Sequence, residues 1–327
     1  MFDLDLVIIG SGPAGLTAAQ YGARANLKVL VIEQLTIGGQ ALLIDVLENY
    51  PGNVGQINAA GVEISGPKSG YDFIVDLHRQ AESFGASFLT GNVIAIKKDD
   101  DRFIISMIDG SKHSACAVII ATGAKPRLLG IPGENEFTGR GVSYCASCDG
   151  NFFKGKKIFV VGGGDAACDE ARYLSRLTKH VVLVHRRGSF RAQKALAART
   201  LENENIQTRF NTVIKEIKGD KKVSSVVLEN TLDGNSYEDE ADAVFIFAGT
   251  SPQSGLVSPD NTNTVNAALD ENGYIITGKD MATNVPGLYA AGDVRSGAFR
   301  QVVTAAADGA IAAHNAAKYI DETGCRD

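Results

Sequence analysis

The stretch that decides the fold is residues 6–15, Leu6-Val7-Ile8-Ile9-Gly10-Ser11-Gly12-Pro13-Ala14-Gly15. Four apolar residues followed by glycines at these spacings predict a buried strand, a tight turn and the start of a helix. The first glycine permits the turn, and the second lets the backbone approach a pyrophosphate that the helix N-terminus attracts. A single motif of this kind is weak evidence for a nucleotide-binding site, because glycine turns also occur in ordinary strand-to-helix connections.

A second copy of the motif aligns with the first without a gap. The strand Ile158-Phe159-Val160-Val161 runs into Gly162-Gly163-Gly164-Asp165-Ala166-Ala167, so that Gly162 matches Gly10. In each copy a helix follows, and then a second apolar strand, Val29 to Ile32 in one and Val181 to Val184 in the other. The repeat predicts an α/β fold with two Rossmann-like, three-layer nucleotide-binding domains.

The residue after each second strand faces the adenosine ribose and differs between the copies. Glu33 accepts hydrogen bonds from free ribose hydroxyls and repels a 2′-phosphate, which suits FAD or NAD. In the second copy the position is His185, followed by Arg186, Arg187 and Arg191. We expect these four residues to form a cationic cluster for the 2′-phosphate of NADPH, although a solvated basic loop is the simpler alternative.

The length of 327 residues exceeds the roughly 250 to 300 at which single cores stop growing. Two further apolar strands end in glycine, at Val118 to Ala124 and Val244 to Thr250. Interpreted as chain crossings, they predict a discontinuous domain, residues 1–122 and 250–327, which carries the first motif. A second domain, residues 123–249, carries the motif suited to NADPH and is inserted between the two parts of the first.

Charge and hydropathy exclude other classes. Lys and Arg number 32 against 38 Asp and Glu, a formal net charge of −6, which argues against a nucleic-acid partner. The acidic N-terminus and an apolar run that stops at Gly10 fit neither a signal peptide nor a membrane span, so we expect a cytoplasmic protein.

Cys145-Ala146-Ser147-Cys148 is the one C-x-x-C in the sequence. As a structural disulfide it would close too short a loop to stabilise much, and as half of a zinc site it lacks a second ligand pair. The remaining interpretation is a redox-active dithiol, because one thiol of a C-x-x-C can have a lowered pKa. Asp149 is the candidate general acid, or a turn residue beside Gly150, or both.

Three other segments have less specific patterns. Tyr71 to Phe84 predicts an amphipathic helix with Ile74, Leu77, Ala81 and Phe84 on its packed face. Residues 53–69 show no period and are predicted to be a loop. Leu288 to Asp293 predicts a short strand ending in a carboxylate, and Arg300-Gln301-Val302 opens an Ala-rich helix whose N-terminus would favour a reduced flavin.

Together these segments resemble the small, bacterial-type NADPH thioredoxin reductases nearly end to end. The motifs that carry the resemblance are Gly10 to Gly15, Gly38-Gly39-Gln40, Glu48 to Gly52, Ala121-Thr122-Gly123, Cys145 to Gly150, Gly162 to Ala167, His185 to Arg191, Ala291-Gly292-Asp293 and Arg300-Gln301-Val302. The 53–69 segment is longer than is usual in this family, which leaves partner choice open.

The resemblance implies two sets of cofactor contacts. For FAD they are Gly10, Ser11, Gly12, Pro13, Ala14, Gly15, Glu33, Gln34, Gly39, Gln40, Asn49, Val93, Ala121, Thr122, Gly123, Gly292, Asp293, Arg300, Gln301 and Val302. For NADPH they are Gly162, Gly164, Asp165, Ala166, His185, Arg186, Arg187 and Arg191.

The resemblance also implies the path of the electrons, from NADPH through FAD and the Cys145/Cys148 disulfide to oxidised thioredoxin. Cys148 is the thiol nearer the flavin, Cys145 attacks the partner and Asp149 is the acid. Arg140 matches a position that contacts thioredoxin, and the protein is a homodimer. Two alternatives stay open: a related reductase with another small redox partner, and a non-catalytic flavoprotein sensor.

Overall fold

The computed structural model describes residues 2–44, 47, 49–54, 56–57, 63–258, 261 and 264–326. The chain forms two compact units, Met1–Lys125 with Ser251–Asp327, and Pro126–Thr250. The helices are α1 (Pro13–Arg24), α2 (Gly70–Ser83), α3 (Ala146–Asp149), α4 (Asp165–Leu174), α5 (Lys194–Leu201) and α6 (Val302–Thr323). In the described residues no helix has the length and apolar character needed to cross a membrane.

A seven-stranded sheet forms the centre of the first unit. Its strands are β1 (Phe2–Ile9), β2 (Val29–Glu33), β5 (Ser87–Thr90), β6 (Val93–Asp99), β7 (Arg102–Met107), β8 (Lys112–Ile120) and β19 (Leu288–Ala290). β5, β2, β1, β8 and β19 are parallel, and β7 and β6 add an antiparallel edge. The strands β1, β2, β8 and β19 are largely buried, which explains the apolar runs that they contain, whereas β5 at the edge of the sheet is partly exposed.

The second unit contains a five-stranded parallel sheet in the order β10-β17-β11-β12-β13. These strands are β10 (Val142–Ser143), β11 (Ile158–Gly162), β12 (Val181–Val184), β13 (Ile206–Arg209) and β17 (Ala243–Phe247). A separate antiparallel sheet joins β14 (Thr212–Gly219), β15 (Val223–Asn230) and β16 (Ser236–Glu240). Two short strands, β9 (Ala124–Pro126) and β18 (Thr250–Pro252), pair where the chain passes from one unit to the other.

The sequence repeat is reproduced in strand register. Leu6 pairs with Val29 across β1 and β2, and Ile158 pairs with Val181 across β11 and β12. The two pairs occupy equivalent positions in the gap-free alignment of the copies. The predicted fold class, two Rossmann-like α/β domains, is confirmed.

Two expectations about the first unit were wrong in part. The 53–69 segment includes two short antiparallel strands, β3 (Gln56–Ile57) and β4 (Glu63–Ser65), while residues 55 and 58–62 lie outside the described residues. Asn53 fixes the base of this segment, since its side-chain amide donates to the Leu47 carbonyl at 2.7 Å. Phe84 does not join the packed face of α2, because it caps the helix end and is 47% exposed.

A disulfide joins Cys116 in β8 to Cys325, two residues after α6, with a Cα–Cα distance of 5.9 Å. The sequence alone indicated no role for either residue, because they stand 209 positions apart. The bond ties the last residues of the chain to an interior strand of the sheet.

Glycines allow two helices to approach the first turn closely. A Cβ on Gly15 would collide with the Gly10 carbonyl oxygen, and one on Gly309 in α6 would collide with the Ala14 carbonyl oxygen. The helices α1 and α6 therefore pack backbone against backbone at this point.

We predict that Gly309→Ala destabilises the protein, although alanine is the better helix former by about 1 kcal/mol in an unconstrained helix. Overpacking at such a contact costs typically about 1 to 3 kcal/mol, so the free energy of unfolding should fall. Thermal denaturation checks this, with Ala307→Ser at an exposed position of the same helix as the control. An unchanged or raised melting temperature for Gly309→Ala would contradict the packing argument.

Candidate active site

The first glycine turn forms an open cradle at the N-terminus of α1. Gly10 has φ of +100°, which glycine adopts readily and other residues rarely do. Gly12 is the N-cap of α1, and the heavy atom nearest to a Cβ placed there would be the Gly38 carbonyl oxygen at 4.0 Å. Because space remains in front of Gly12, the first free backbone N–H groups of α1 can receive a phosphate.

Glu33 lies at the end of β2, beside the turn. Its carboxylate accepts hydrogen bonds from the Ser11 backbone N–H at 2.9 Å, the Ser11 hydroxyl at 2.7 Å and the Leu35 N–H at 3.1 Å. These bonds fix the carboxylate in place, and a carboxylate has lone pairs for about four donors, so acceptor capacity remains for ribose hydroxyls. The geometry fits a dinucleotide without a 2′-phosphate.

Other predicted flavin contacts lie at the same edge of the sheet, since they follow the carboxyl ends of the parallel strands β8 and β19. Thr122 is held by Gln253, whose side-chain amide donates to the Thr122 carbonyl while the Thr122 hydroxyl donates to the Gln253 carbonyl, each at 2.7 Å. Asp293 follows β19. Burial raises its pKa and Asp308 adds to the effect, whereas Arg300 opposes it.

Residues distant in sequence also meet in this unit. The Asn49 side-chain amide donates to the Gln301 side chain at 2.9 Å, and the Gln40 side chain donates to the Ala124 carbonyl. Arg300 lies over the ring of Tyr274, 4.6 Å from its centroid. Val93 is only 7% exposed within the core, so a ligand contact there would be through its backbone.

Sequence reasoning missed the pair that supports the Asp293 loop. Asp308 in α6 accepts a bidentate contact from Arg295, with Nε at 2.6 Å and Nη2 at 3.1 Å. The same carboxylate accepts the Gly292 backbone N–H at 3.2 Å. An aspartate in an otherwise apolar, Ala-rich helix was the available signal, because a buried carboxylate needs partners.

The second turn repeats the open cradle in the second unit. A Cβ on Gly164, the N-cap of α4, would have no heavy atom within 4 Å. Asp165 begins the helix and accepts the Gln193 backbone N–H at 2.7 Å, which orders the segment after Arg191. The Arg191 backbone N–H donates to the Gly163 carbonyl at 2.7 Å. The basic segment therefore lies next to the phosphate turn.

The expectation that His185 contributes a positive charge was wrong. Its side chain is buried, and a Cβ on Gly163 would collide with the imidazole ring. Burial lowers the pKa of His185, and Arg191, Arg187 and Arg186 lower it further, so the ring is neutral near pH 7. The cationic part of the cluster is the three exposed arginines, which suit a 2′-phosphate.

The predicted redox segment follows β10, at the same carboxyl edge of the parallel sheet as the second glycine turn. Cys145 is disulfide-bonded. Its backbone N–H donates to the Ser143 hydroxyl at 3.1 Å, and its carbonyl accepts the Asp149 N–H at 3.3 Å in α3. The side chains of Ser147 and Cys148 lie outside the described residues, so the Cys145–Cys148 pairing stays a prediction.

A buried carboxylate anchors the strand before Cys145. Glu134 is 1% exposed and accepts the Tyr144 hydroxyl at 2.8 Å and the backbone N–H groups of Leu129 and Gly130 at 2.9 and 2.7 Å. Burial raises the pKa of Tyr144 well above its usual range, and the Glu134 hydrogen bond adds to this. Tyr144 therefore stays protonated, and its hydrogen bond to Glu134 fixes the residue that directly precedes Cys145.

A pocket of about 280 Å³ opens beside Asp149. Arg140, Lys221 and Lys222 supply positive charge to its lining, and Phe152, which is 80% exposed, adds an apolar surface. An exposed large aromatic residue among cations is a typical contact for another protein.

Known proteins match the chain over nearly its whole length. The family model for pyridine nucleotide-disulphide oxidoreductases matches residues 4–309. The thioredoxin reductase of Treponema pallidum (strain Nichols) is 51% identical over 319 residues, 98% of each chain, and that of Peptoclostridium litorale is 45% identical over 326 residues, 97% of each. The crystal structure of Lactococcus lactis thioredoxin reductase has a TM-score of 0.85 at 42% identity, covering 98% of this chain and 99% of its own. The chain therefore belongs to the pyridine nucleotide-disulphide oxidoreductase family and, within it, to the thioredoxin reductases.

Proposed function

We propose that the chain reduces oxidised thioredoxin with electrons from NADPH, through FAD and the Cys145/Cys148 pair. The observation that carries this proposal is the pair of open glycine cradles with opposite charges at the ribose position, one of them in the same unit as a disulfide-bonded cysteine. The 44–51% identity to four curated thioredoxin reductases supports the substrate. A non-catalytic sensor would be reduced without turnover, so NADPH oxidation sustained by a disulfide substrate would eliminate that alternative.

The first unit, Met1–Lys125 with Ser251–Asp327, holds FAD in this proposal, and the second, Pro126–Thr250, holds NADPH. Glu33 orients the FAD ribose, and the N-terminus of α1 receives the pyrophosphate. In the second unit the N-terminus of α4 and the arginines Arg186, Arg187 and Arg191 bind the phosphates of NADPH. Bound in the first unit, FAD would supply the two-electron chemistry that links NADPH to the disulfide.

The chain's own residues carry the exchange with the partner. The Cys145 thiolate attacks one sulfur of the partner disulfide and releases the other as a thiolate, which Asp149 protonates. Cys148 then attacks the mixed disulfide, which restores the Cys145–Cys148 bond and frees the partner as a dithiol. The Ser143 and Glu134–Tyr144 contacts position the segment for both steps.

The pocket beside Asp149 is the proposed docking surface for thioredoxin. Arg140, Lys221 and Lys222 would attract acidic groups, and Phe152 would be buried on docking. We also propose that the enzyme is a cytoplasmic homodimer without a nucleic-acid partner, in line with its net charge of −6.

Cys148→Ser should abolish thioredoxin-dependent oxidation of NADPH while the purified protein keeps its flavin, because serine cannot form the disulfide. Steady-state assays with and without thioredoxin measure this. Cys168→Ala, at a buried free thiol that takes no part in the proposed exchange, is the control and should retain turnover. Thioredoxin reduction by the serine variant would rule out the proposed route.

Arg186→Gln with Arg187→Gln should raise the KM for NADPH about tenfold or more, since charge-assisted hydrogen bonds are worth roughly 1.5 to 3 kcal/mol. The KM for NADH and kcat should change little. Lys179→Gln removes an exposed cation elsewhere in the unit and serves as the matched control. Equal losses with both nucleotides would place the arginines away from the 2′-phosphate.

Phe152→Ala should raise the KM for thioredoxin about tenfold or more, as expected for an aromatic hot spot worth at least about 1 to 2 kcal/mol. Reduction of a small aromatic disulfide such as 5,5′-dithiobis(2-nitrobenzoic acid) should be unaffected, since it needs no docking surface. Leu232→Ala, at an equally exposed apolar residue of the same unit, is the control. A parallel loss with both substrates would mean that Phe152 supports the redox segment instead.

A further inference from the structure

The Cys116–Cys325 disulfide fastens the end of the chain to the first unit's sheet. Cys116 belongs to β8, whose neighbours in the sheet include β1 and β7. Cys325 follows the left-handed cap Gly324 at the end of α6. We propose that this disulfide is a second thiol-exchange site, opened by a dithiol that attacks Cys325, and that its reduction releases the C-terminal segment from the sheet.

The two sulfurs differ in access. Cys116 is 0% exposed, within the core cluster of β1, β8, α1 and α6. Cys325 is only partly buried, and residues 321–324 and 326 around it are exposed. An attacking thiolate needs a direct approach to the sulfur that it joins. Attack therefore falls on Cys325, and Cys116 becomes the leaving thiolate.

Arg102 in β7 lies where that thiolate would form. Its Nη1 is 3.4 Å from the Cys116 sulfur and 3.7 Å from the Cys325 sulfur. Hydrogen bonds hold the guanidinium in this position, from Nε to the Ser114 hydroxyl at 2.7 Å and from Nη2 to the Leu4 carbonyl at 3.0 Å. A fixed cation beside a sulfur lowers the thiol pKa and makes it a better leaving group.

The exchange balances with a dithiol as the reductant. Its first thiolate forms a mixed disulfide with Cys325 and displaces the Cys116 thiolate beside Arg102. Its second thiol attacks the mixed disulfide and leaves as an intramolecular disulfide, and Cys325 is released as a thiol. Two electrons pass from the dithiol to the chain. Reduced thioredoxin, the product of the proposed function, is a reductant of this class, and only that identification rests on the proposed function.

After reduction of the disulfide, only non-covalent contacts hold the C-terminal segment to the rest of the first unit. Arg326 still pairs with Asp5 at 2.9 Å, and Arg102 Nη1 still donates to the Cys325 carbonyl at 3.1 Å. The Arg326 side chain is 31% exposed, and both contacts are non-covalent, so they can break and re-form without a chemical step. The last turn of α6 should therefore open more often when Cys116 and Cys325 are thiols.

The test uses the full chain with Cys145→Ser and Cys148→Ser, so that the C-x-x-C cannot exchange. The folded protein is titrated with dithiothreitol, alkylated and mapped by mass spectrometry. Cys325 should become reactive in the folded protein while the buried thiols of Cys116 and Cys168 are alkylated only after denaturation, and amide hydrogen exchange should accelerate in the last turn of α6. Resistance to dithiothreitol until denaturant is added would overturn the proposal and leave a structural bond.

Two further measurements test the direction of attack and the role of Arg102. A thioredoxin that lacks its resolving cysteine should be trapped as a mixed disulfide on Cys325, and trapping on Cys116 would contradict the proposal. Arg102→Gln should slow reduction by dithiothreitol about tenfold, since the leaving thiolate loses its charged partner, whereas Arg102→Lys should restore most of the rate. Equal rates in all three proteins would remove Arg102 from the mechanism. Exchange with dithiothreitol but not with thioredoxin would keep the site and reject only thioredoxin as its reductant.

Discussion

The close approach of backbone to backbone at the first glycine turn is the constraint on which the first unit depends. Gly15 lies against the Gly10 carbonyl, and Gly309 brings α6 against the Ala14 carbonyl, so neither position has room for a side chain. This contact directs the N-terminus of α1 to the carboxyl edge of the sheet. The loops that follow β2, β8 and β19 begin at the same edge, so candidate flavin contacts from segments far apart in the sequence gather there.

The second unit keeps the open helix N-cap but not this backbone contact, since Ala167 stands at the position that Gly15 occupies in the first copy. Both copies leave the helix N-cap open, at Gly12 and Gly164, so both can receive a pyrophosphate. What differs is the charge after the second strand. Glu33 repels a 2′-phosphate, and the arginines that follow His185 attract one. The residues near the ribose position therefore favour different nucleotides in the two copies, with a carboxylate in the first and three arginines in the second.

The parts of the structure that the sequence predicted are those fixed by local pattern. The strand-turn-helix repeat combines apolar periodicity with glycines that the backbone requires, so its register could be inferred. The failures involve long-range packing. The charge of His185 depends on burial under Gly163 and on three neighbouring arginines, and the Cys116–Cys325 bond joins residues 209 positions apart. The supports Glu134–Tyr144 and Arg295–Asp308 likewise depend on tertiary contacts that no local motif encodes.

The assignment of one nucleotide to each glycine cradle can be tested with a pair of matched variants. Gly12→Ala and Gly164→Ala each place a methyl group in open space, with no strained φ, so both should fold. Flavin content after purification and NADPH binding by equilibrium dialysis are then measured for both proteins. Gly12→Ala should lose FAD and still bind NADPH, whereas Gly164→Ala should retain FAD and bind NADPH weakly. If either folded variant lost both nucleotides, or if Gly12→Ala lost NADPH and Gly164→Ala lost FAD, this assignment of the two cradles would be wrong.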